Sequence, residues 1–183
     1  DTQTGVGIMQ MDEGLDTGNI LLEKSCEITQ TDTALTLHDK LAELGAQAII
    51  EALDNIDNLP SVNQNEQGVT YAKKLTKDEA WIDWQQSAIQ INQQIRAFNP
   101  YPIAQTNASS DKFKTKVLRI LSASVIDTTH DKKAGEVIES DKKTCHIATG
   151  DGVLSLEKVQ LAGKKVADIK DFTNAYQLEN LNV

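Results

Sequence analysis

The stretch TGVGIMQMDEGLDTGNIL, residues 4–21, decides the fold of the first part of the chain. Alternating apolar residues predict a strand over residues 5–11, and a second predicted strand covers residues 19–28. The turn between these strands carries Asp16 between two glycines. We therefore expect two strands joined by a glycine-rich turn that presents a carboxylate.

An amphipathic helix is predicted directly after the second strand. The segment TDTALTLHDKLAELGAQAIIEALDNI, residues 31–56, has apolar residues at alternating steps of three and four, and its helix should open near Asp32 or Thr33. The order strand, loop, strand, helix indicates the closing part of an α/β domain. The apolar stripe consists of Leu37, Leu41, Leu44, Ala48 and Ala52.

A polar, turn-rich stretch, NLPSVNQNEQG at residues 58–68, marks a domain boundary. We expect residues 1–60 to belong to the α/β domain, residues 61–78 to form a linker, and residues 79–183 to form a second domain. The chain opens with DTQTGVGIMQ, which has neither an initiating Met nor the features of a signal peptide. We therefore expect it to be a piece of a longer protein.

Short strands and flanking helices are predicted for the second domain. Thr76 with Glu79 fits a capping box for a short helical turn, and Ser87 with Gln90 fits another for the helix SAIQINQQIRAF. The runs KVLRILSASVI, GEVIES, TCHIATG and VLSLEKVQL then alternate between apolar and polar residues, which is typical of a small β-barrel. A last helix is predicted over residues 168–176.

Composition and charge restrict the function classes. The 183 residues are 39% hydrophobic, which is enough for a packed core, and no window approaches 18 consecutive apolar residues, so we expect no membrane-spanning segment. The two cysteines, Cys26 and Cys145, form no metal-ligand pattern and suit a reducing compartment, most simply the cytoplasm. Residues 1–70 hold two Lys against 13 acids (−11), whereas residues 71–183 hold 16 basic residues against 14 acids (+2). The second part therefore suits contact with a phosphate backbone far better than the first.

Asp16 has two interpretations that local spacing leaves open. An Asp on a glycine-rich turn commonly caps backbone N–H groups. Alternatively, the glycines allow a ligand to approach the backbone while the carboxylate orients a catalytic histidine or water. The three histidines supply no evident partner: we expect His38 to be solvated or to serve helix packing, and His130 to be exposed in a polar loop. Cys145 and His146, adjacent on a strand, should point to opposite faces. We find no nucleophile and base pair, and no metal-ligand cluster.

Basic residues form a second candidate site, for nucleic acid. Lysines 112, 114 and 116 alternate, so on a strand they would share one face. Two interpretations remain open: contacts to phosphates, or an edge strand that lysine keeps soluble. The candidate residues are Lys73, Lys74, Lys77, Lys112, Lys114, Lys116, Arg119, Lys164 and Lys165.

Six motifs in a fixed order resemble the methionyl-tRNA formyltransferase family. Together they span almost the whole chain, and their combination is highly specific although no single motif is. The MDxGLDTG turn by itself resembles other folate-dependent formyltransferases. The motifs are TGVGIMQMDEGLDTGNIL (4–21), LHDKLAELG (37–45), VTYAKKLTKDEAWIDW (69–84), IRAFNPYP (95–102), KVLRILSASVID (116–127) and IATGDGVLSLEKVQLAGKK (147–165).

The resemblance implies a fold and a reaction. The fold is the tail of a Rossmann-like formyltransferase domain, a linker, and a small OB-like β-barrel with flanking helices. The reaction transfers a formyl group from 10-formyltetrahydrofolate to the amino group of initiator methionyl-tRNA, without a metal. Asp16 falls on the family's catalytic aspartate, which acts with an Asn-x-His motif expected upstream. The family's folate pocket falls on the backbone of Met11, Asp12, Glu13, Gly14 and Leu15.

The resemblance also assigns the basic residues and the assembly. The candidate lysines, together with Arg119 and Arg96, become contacts to tRNA phosphates, and the low net charge implies weak, salt-dependent binding. Trp81 and Trp84 are expected to anchor packing where the linker meets the barrel. We expect a monomeric parent protein, an inactive isolated chain, and a tendency of residues 1–60 to oligomerise through exposed edges. The rival hypotheses are another folate-dependent formyltransferase, such as one acting on sugar nucleotides, and a non-enzymatic OB-type RNA-binding module.

Overall fold

The computed structural model describes residues 1–65 and 67–181, and it divides the chain into two compact units. The first unit comprises residues 1–74 and the second comprises the residues from Leu75 onward. The division falls within the predicted linker, residues 61–78.

The first unit is a β-hairpin packed against one long helix. Strand β1 (Gln3–Met9) pairs antiparallel with strand β2 (Ile20–Glu27). Helix α1 (Ala34–Asp54) packs against both strands, and a short 3₁₀ helix follows at Ile56–Asn58. This arrangement matches the predicted α/β tail, with β1 lying two residues earlier than the alternating pattern indicated.

The start of α1 is fixed by a reciprocal capping box. The Thr33 hydroxyl accepts a hydrogen bond from the Thr36 backbone N–H, and the Thr36 hydroxyl accepts one from the Thr33 N–H. The predicted start near Asp32 or Thr33 is therefore confirmed. Ala48 and Ala52, the last two residues of the predicted stripe, are buried, so the stripe is the packed face.

Helix α2 (Ala88–Ala97) is the first α-helix of the second unit. Its capping box of Ser87 and Gln90 forms as predicted. The predicted box at Thr76 is only half formed: the Glu79 carboxylate accepts from the Thr76 N–H and hydroxyl, and the 3₁₀ helix Asp78–Ala80 has no side-chain cap. The reason is that the 3₁₀ helix begins at Asp78, so its N-cap position is held by Lys77 and not by Thr76.

The second unit is built on a curled antiparallel sheet in the order β5-β6-β7-β4-β3-β9, with β8 paired to β7. A short helix, α3 (Ile169–Ala175), precedes the last strand. The sheet nearly closes, because the Leu181 N–H donates to the Gly135 carbonyl at 3.0 Å beside the start of β5. The strands are β3 (Gln105–Ser110), β4 (Phe113–Ile126), β5 (Val137–Ser140), β6 (Cys145–Ala148), β7 (Val153–Leu161), β8 (Ala167–Asp168) and β9 (Leu178–Leu181).

The barrel core is apolar and includes one buried polar pair. Trp84 is fully buried, and its indole N–H donates to the Thr106 hydroxyl at 3.0 Å. Gly135 adopts φ +90° where the sheet closes, and a Cβ there would lie 2.7 Å from the Leu181 carbonyl oxygen, so the closure requires glycine. The predicted packing role is therefore confirmed for Trp84. Trp81 is 41% exposed and so packs less completely than predicted. Within residues 1–65 and 67–181, no helix is both long and apolar enough to span a membrane.

Candidate active site and basic surface

Asp16 lies on the turn that joins β1 to β2, in a conformation unusual for a residue with a side chain. Its φ is +58°, in the left-handed region that Asp and Asn tolerate better than most residues. The residue is exposed, and within the described part of the chain its carboxylate makes no hydrogen bond. The carboxylate is therefore presented to solvent on a backbone that other contacts must hold.

Asp12, and not Asp16, provides the turn-capping contacts. Its Oδ1 accepts hydrogen bonds from the Thr17 hydroxyl at 2.6 Å and from the Gly14 backbone N–H at 2.9 Å. These two donors, the hydroxyl first, hold the pKa of the Asp12 carboxyl below its usual value because they stabilise the ionised form. Of the two interpretations left open by the sequence, turn capping thus belongs to Asp12.

Both glycines of the turn are required by close contacts. A Cβ on Gly14 would lie 2.1 Å from the Thr17 hydroxyl oxygen, and a Cβ on Gly18 would lie 1.9 Å from the Gln10 carbonyl oxygen. The base of the turn is closed by a hydrogen bond from the Gln10 N–H to the Asn19 carbonyl at 2.9 Å. Gly18 therefore lets the backbone approach that of Gln10, whereas Gly14 leaves room for the Thr17 side chain.

A residue that the sequence did not single out also holds the turn. The Gln64 side-chain amide donates to the carbonyls of Asp16 and Gly18, each at 2.8 Å. The neighbouring Val62 exchanges two backbone hydrogen bonds with Ile20. From the sequence, the stretch 58–68 indicated only a domain boundary. Its polar composition does not show that the Gln64 side chain would contact Asp16, 48 residues earlier.

The proposed folate-pocket backbone forms the outer part of the same turn. Met11 and Leu15 are 78% and 94% exposed, so two apolar side chains stand in solvent beside the backbone of Asp12 to Gly14. Exposed apolar side chains next to close-packed backbone suit the face of an aromatic ligand. The groove between β2 and residues 60–65, about 420 Å³, does not include Asp16 in its lining.

Two of the candidate lysines lie over aromatic rings at one end of the barrel. The Lys112 ammonium is 5.8 Å from the centre of the Tyr176 ring, and the Lys116 ammonium is 5.7 Å from that of Phe113. Lys112 also donates to the Ala175 carbonyl. It lies in the turn before β4, which begins at Phe113, so it does not extend the alternating strand positions of Lys114 and Lys116.

A second group of basic residues is connected through Gln160. The Gln160 Oε1 accepts a hydrogen bond from Arg119 at 3.3 Å, while its Nε2 donates to the Lys164 carbonyl at 3.0 Å. The structure therefore places Arg119 beside the turn that carries Lys164 and Lys165, all three being exposed. Proximity of this kind between distant residues could not be derived from strand alternation alone.

The other candidate basic residues are placed differently. Lys73 and Lys74 are exposed in the first unit, and Lys77 is exposed in the second. Arg96 lies in the last turn of α2 and is half-buried, which leaves less of it available to a nucleic acid than the exposed lysines.

The histidines and cysteines form no catalytic pair. His38 is exposed, the first of its two predicted placements. The predicted exposure of His130 is wrong: it is half-buried, with Nε2 3.1 Å from the Thr149 carbonyl oxygen, because its loop folds back onto a tight barrel turn. Cys145 is buried while His146 contacts Glu139, so the two side chains do lie on opposite faces. Burial raises the pKa of the Cys145 thiol to about 12, which makes it a poor nucleophile.

No group of three or more His, Cys, Asp or Glu side chains that could hold a metal ion occurs in the portion of the chain the structure covers. The β1–β2 turn offers the exposed carboxylates of Asp12, Glu13 and Asp16, backbone carbonyl and N–H groups, and the two apolar side chains of Met11 and Leu15.

Comparison with known proteins identifies the family. The family model described as "Formyl transferase, C-terminal domain" matches residues 74–177, and the model described as "Formyl transferase" matches residues 1–53. The chain belongs to the formyl transferase family. A curated member from Coxiella burnetii (strain RSA 493 / Nine Mile phase I), named methionyl-tRNA formyltransferase, is 44% identical over 178 residues, which are 96% of this chain and 55% of that protein. The chain thus spans about half the length of the curated formyl transferases it matches.

Solved formyl transferases share the fold. The N-formyltransferase from Helicobacter canadensis, crystallised with folinic acid and dTDP-3-aminofucose, has a TM-score of 0.65 at 22% identity and aligns with 85% of this chain and 55% of its own. Methionyl-tRNA formyltransferase from Clostridium thermocellum has a TM-score of 0.53 at 19% identity, over 70% of this chain and 53% of its own. At these identities the likeness supports the fold class, an α/β tail followed by an OB-like barrel.

Proposed function

We propose that the protein containing this chain transfers a formyl group from 10-formyltetrahydrofolate to the amino group of initiator methionyl-tRNA, in the cytoplasm. The observation that carries this proposal is the exposed Asp16 carboxylate on a turn whose capping is provided by another acid. Support for the substrate comes from the name of the Coxiella burnetii relative, which is 44% identical over nearly the whole chain.

The reaction requires removal of a proton from the amine and stabilisation of negative charge on the formyl oxygen. A carboxylate alone cannot provide both. As the amine attacks, the formyl carbon becomes tetrahedral, the amine loses a proton, and negative charge develops on the formyl oxygen. The bond between the formyl carbon and the folate nitrogen then breaks, and that nitrogen takes up a proton as tetrahydrofolate leaves. An amide donor and an imidazolium can stabilise that oxygen. The Asp16 carboxylate would keep the imidazole charged and accept the amine proton through water.

The amide and the imidazole do not come from this chain. Its sequence contains no Asn-x-His motif, and its three histidines are His38, His130 and His146. We therefore propose that the isolated chain of 183 residues is inactive. A protein of full family length is needed for catalysis.

The backbone from Met11 to Leu15 is proposed to hold the folate. 10-Formyltetrahydrofolate contains a flat pterin ring and, outside that ring, the formyl group that is transferred. The exposed Met11 and Leu15 side chains supply apolar contact, and the backbone of Gly14 between them is also exposed. The relative from Helicobacter canadensis was crystallised with folinic acid, a chemically similar ligand.

The barrel is proposed to hold the tRNA through phosphate contacts. Arg119, Lys164 and Lys165 form one exposed basic group, and Lys112, Lys114 and Lys116 form another around the start of β4. Phosphate contacts position a nucleic acid without reading its sequence, so these residues would orient the acceptor and leave its selection to other parts of the enzyme.

Acceptor choice separates this proposal from its closest rival, a sugar-nucleotide formyltransferase. The test is to incubate the protein of full family length with 10-formyltetrahydrofolate and either methionyl-tRNA or a dTDP-amino sugar, and to measure the formylated product. We expect formylmethionyl-tRNA only. Formylation of the sugar alone would favour the rival, and formylation of neither acceptor would favour the non-enzymatic RNA-binding module.

A further inference from the structure

We propose that Gln64 is a positioning residue for Asp16: its side-chain amide holds the backbone on both sides of Thr17 and so fixes the direction of the Asp16 carboxylate. The inference rests on the proposed function only for its catalytic consequence. Gln64 lies outside both matched regions, residues 1–53 and residues 74–177.

The hydrogen bonds use the full donor capacity of the Gln64 amide nitrogen. A primary amide nitrogen carries two N–H groups. The Nε2 of Gln64 lies 2.8 Å from the Asp16 carbonyl oxygen and 2.8 Å from the Gly18 carbonyl oxygen. One planar group therefore sets the separation and direction of two carbonyls within three consecutive residues.

The Asp16 backbone needs such a restraint. A φ of +58° is costly for a residue with a Cβ, and strained conformations persist when the surrounding structure enforces them. The Asp12 carboxylate holds the Gly14 N–H before Asp16 and the Thr17 hydroxyl after it. Gln64 adds a restraint on the peptide group that follows Asp16, through its carbonyl oxygen.

The position of Gln64 is itself fixed by β2. The Ile20 N–H donates to the Val62 carbonyl at 2.8 Å, and the Val62 N–H donates to the Ile20 carbonyl at 2.9 Å. The Asn19 side-chain amide also donates to the Ser61 hydroxyl at 2.8 Å. Residues 61–64 therefore form a strap that runs beside β2 and ends with the Gln64 amide under the turn.

Gln64→Met is the decisive variant because it keeps the length and bulk of the side chain and removes both donors. Gln64→Glu keeps the shape and, when ionised, places an acceptor against two carbonyls. Asn63→Ala is the matched control, since its side chain makes no hydrogen bond within the described residues and it neighbours Gln64 on the same strap. All variants are made in the protein of full family length.

Two measurements follow on each variant: steady-state formylation of methionyl-tRNA, and hydrogen exchange of the backbone amides of residues 10–19. Two lost hydrogen bonds should lower kcat on the order of tenfold in Gln64→Met, with KM for both substrates within about twofold. Exchange at residues 10–19 should accelerate, while the thermal midpoint and the Asn63→Ala control stay close to wild type. A merely structural role would lower the thermal midpoint without separating kcat from KM.

Wild-type kcat and wild-type exchange in Gln64→Met would overturn the proposal while leaving the formyl-transfer function intact. If the wild-type protein formylates no acceptor, the proposed function fails, and the exchange rates still decide whether Gln64 holds the turn. Faster exchange with unchanged kcat would contradict the positioning role, since the turn would then be looser without catalytic effect.

Discussion

The Asp12 carboxylate accepts a hydrogen bond from the Thr17 hydroxyl across 2.6 Å, and this contact separates the roles of the two acids on the β1–β2 turn. Asp12 is also exposed, but its carboxylate is engaged by the Gly14 N–H and the Thr17 hydroxyl and so stabilises the turn. Asp16 faces outward from a left-handed backbone, with its carboxylate exposed. An acid that the turn does not use for its own structure is available for chemistry on a bound substrate.

Gly18→Ala should disrupt the turn. The new Cβ would lie 1.9 Å from the Gln10 carbonyl oxygen, so the backbone has to move. We expect formylation by the protein of full family length to fall by at least tenfold, on the scale of a misplaced catalytic group. Gly7→Ala is the control, because its Cβ would meet only the Ile20 side chain at an ordinary 3.5 Å. Equal activity of the two variants would show that the turn tolerates the shift.

Thr106→Val should destabilise the barrel by about 1–3 kcal/mol, since the buried Trp84 indole N–H loses its acceptor. Urea unfolding followed by tryptophan fluorescence measures the change. Thr115→Val, an exposed position on β4, is the control and should stay within about 0.5 kcal/mol of wild type. An unchanged midpoint in Thr106→Val would mean that the indole finds another acceptor.

Asp32 should make α1 sensitive to acid. Its Lys40 partner, together with the Thr29 N–H and hydroxyl, holds the pKa of this 5% exposed carboxyl well below its usual range. A lowered folded-state pKa adds stability above the unfolded value of about 4, and this stability is lost as pH falls below it.

Asp32→Asn tests this linkage. Its deficit in unfolding free energy relative to wild type should be largest near pH 6 and should narrow as pH falls through about 4, since protonation removes the wild-type advantage. Circular dichroism of the helix during denaturant unfolding gives the measurement. The exposed Asp39→Asn on the same helix serves for comparison. A deficit that does not vary with pH would show that the ion pair with Lys40 contributes little.

The basic group around Gln160 should bind phosphates. Replacing Lys164 or Lys165 by Gln should weaken binding of initiator tRNA and lower the slope of log K against log salt by about one per lost contact. Lys142→Gln, an exposed lysine in the β5–β6 hairpin, is the matched control. If all three variants bind alike at two salt concentrations, the lysines serve solubility and not tRNA.

Local patterns predicted the parts of the fold that local forces determine. The Ser87 and Gln90 capping box and the stripe that ends at Ala52 are both formed by residues three or four apart, so the sequence displays them directly. The strand β9 was not predicted, since four residues near the end of the chain carry little pattern of their own. It forms because the edge of β3 pairs with it.

Long-range contacts explain the remaining differences. The Gln64 amide reaches Asp16 across 48 residues, and the His130 ring lies against the carbonyl oxygens of Thr149 and Gly152. Neither residue type nor spacing indicates such a contact, because the polar side chains involved are equally common in exposed loops. The catalytic assignment of Asp16 likewise came from the order of distant motifs and not from the turn itself.

The catalytic role of Asp16 is tested by the formylation rate of Asp16→Asn in the protein of full family length, with Asp39→Asn as an exposed control on α1. Loss of the carboxylate should lower kcat by about two to four orders of magnitude, with the folded state intact by circular dichroism. A near-normal kcat in Asp16→Asn would contradict the account and leave Asp16 as a turn residue without a catalytic role.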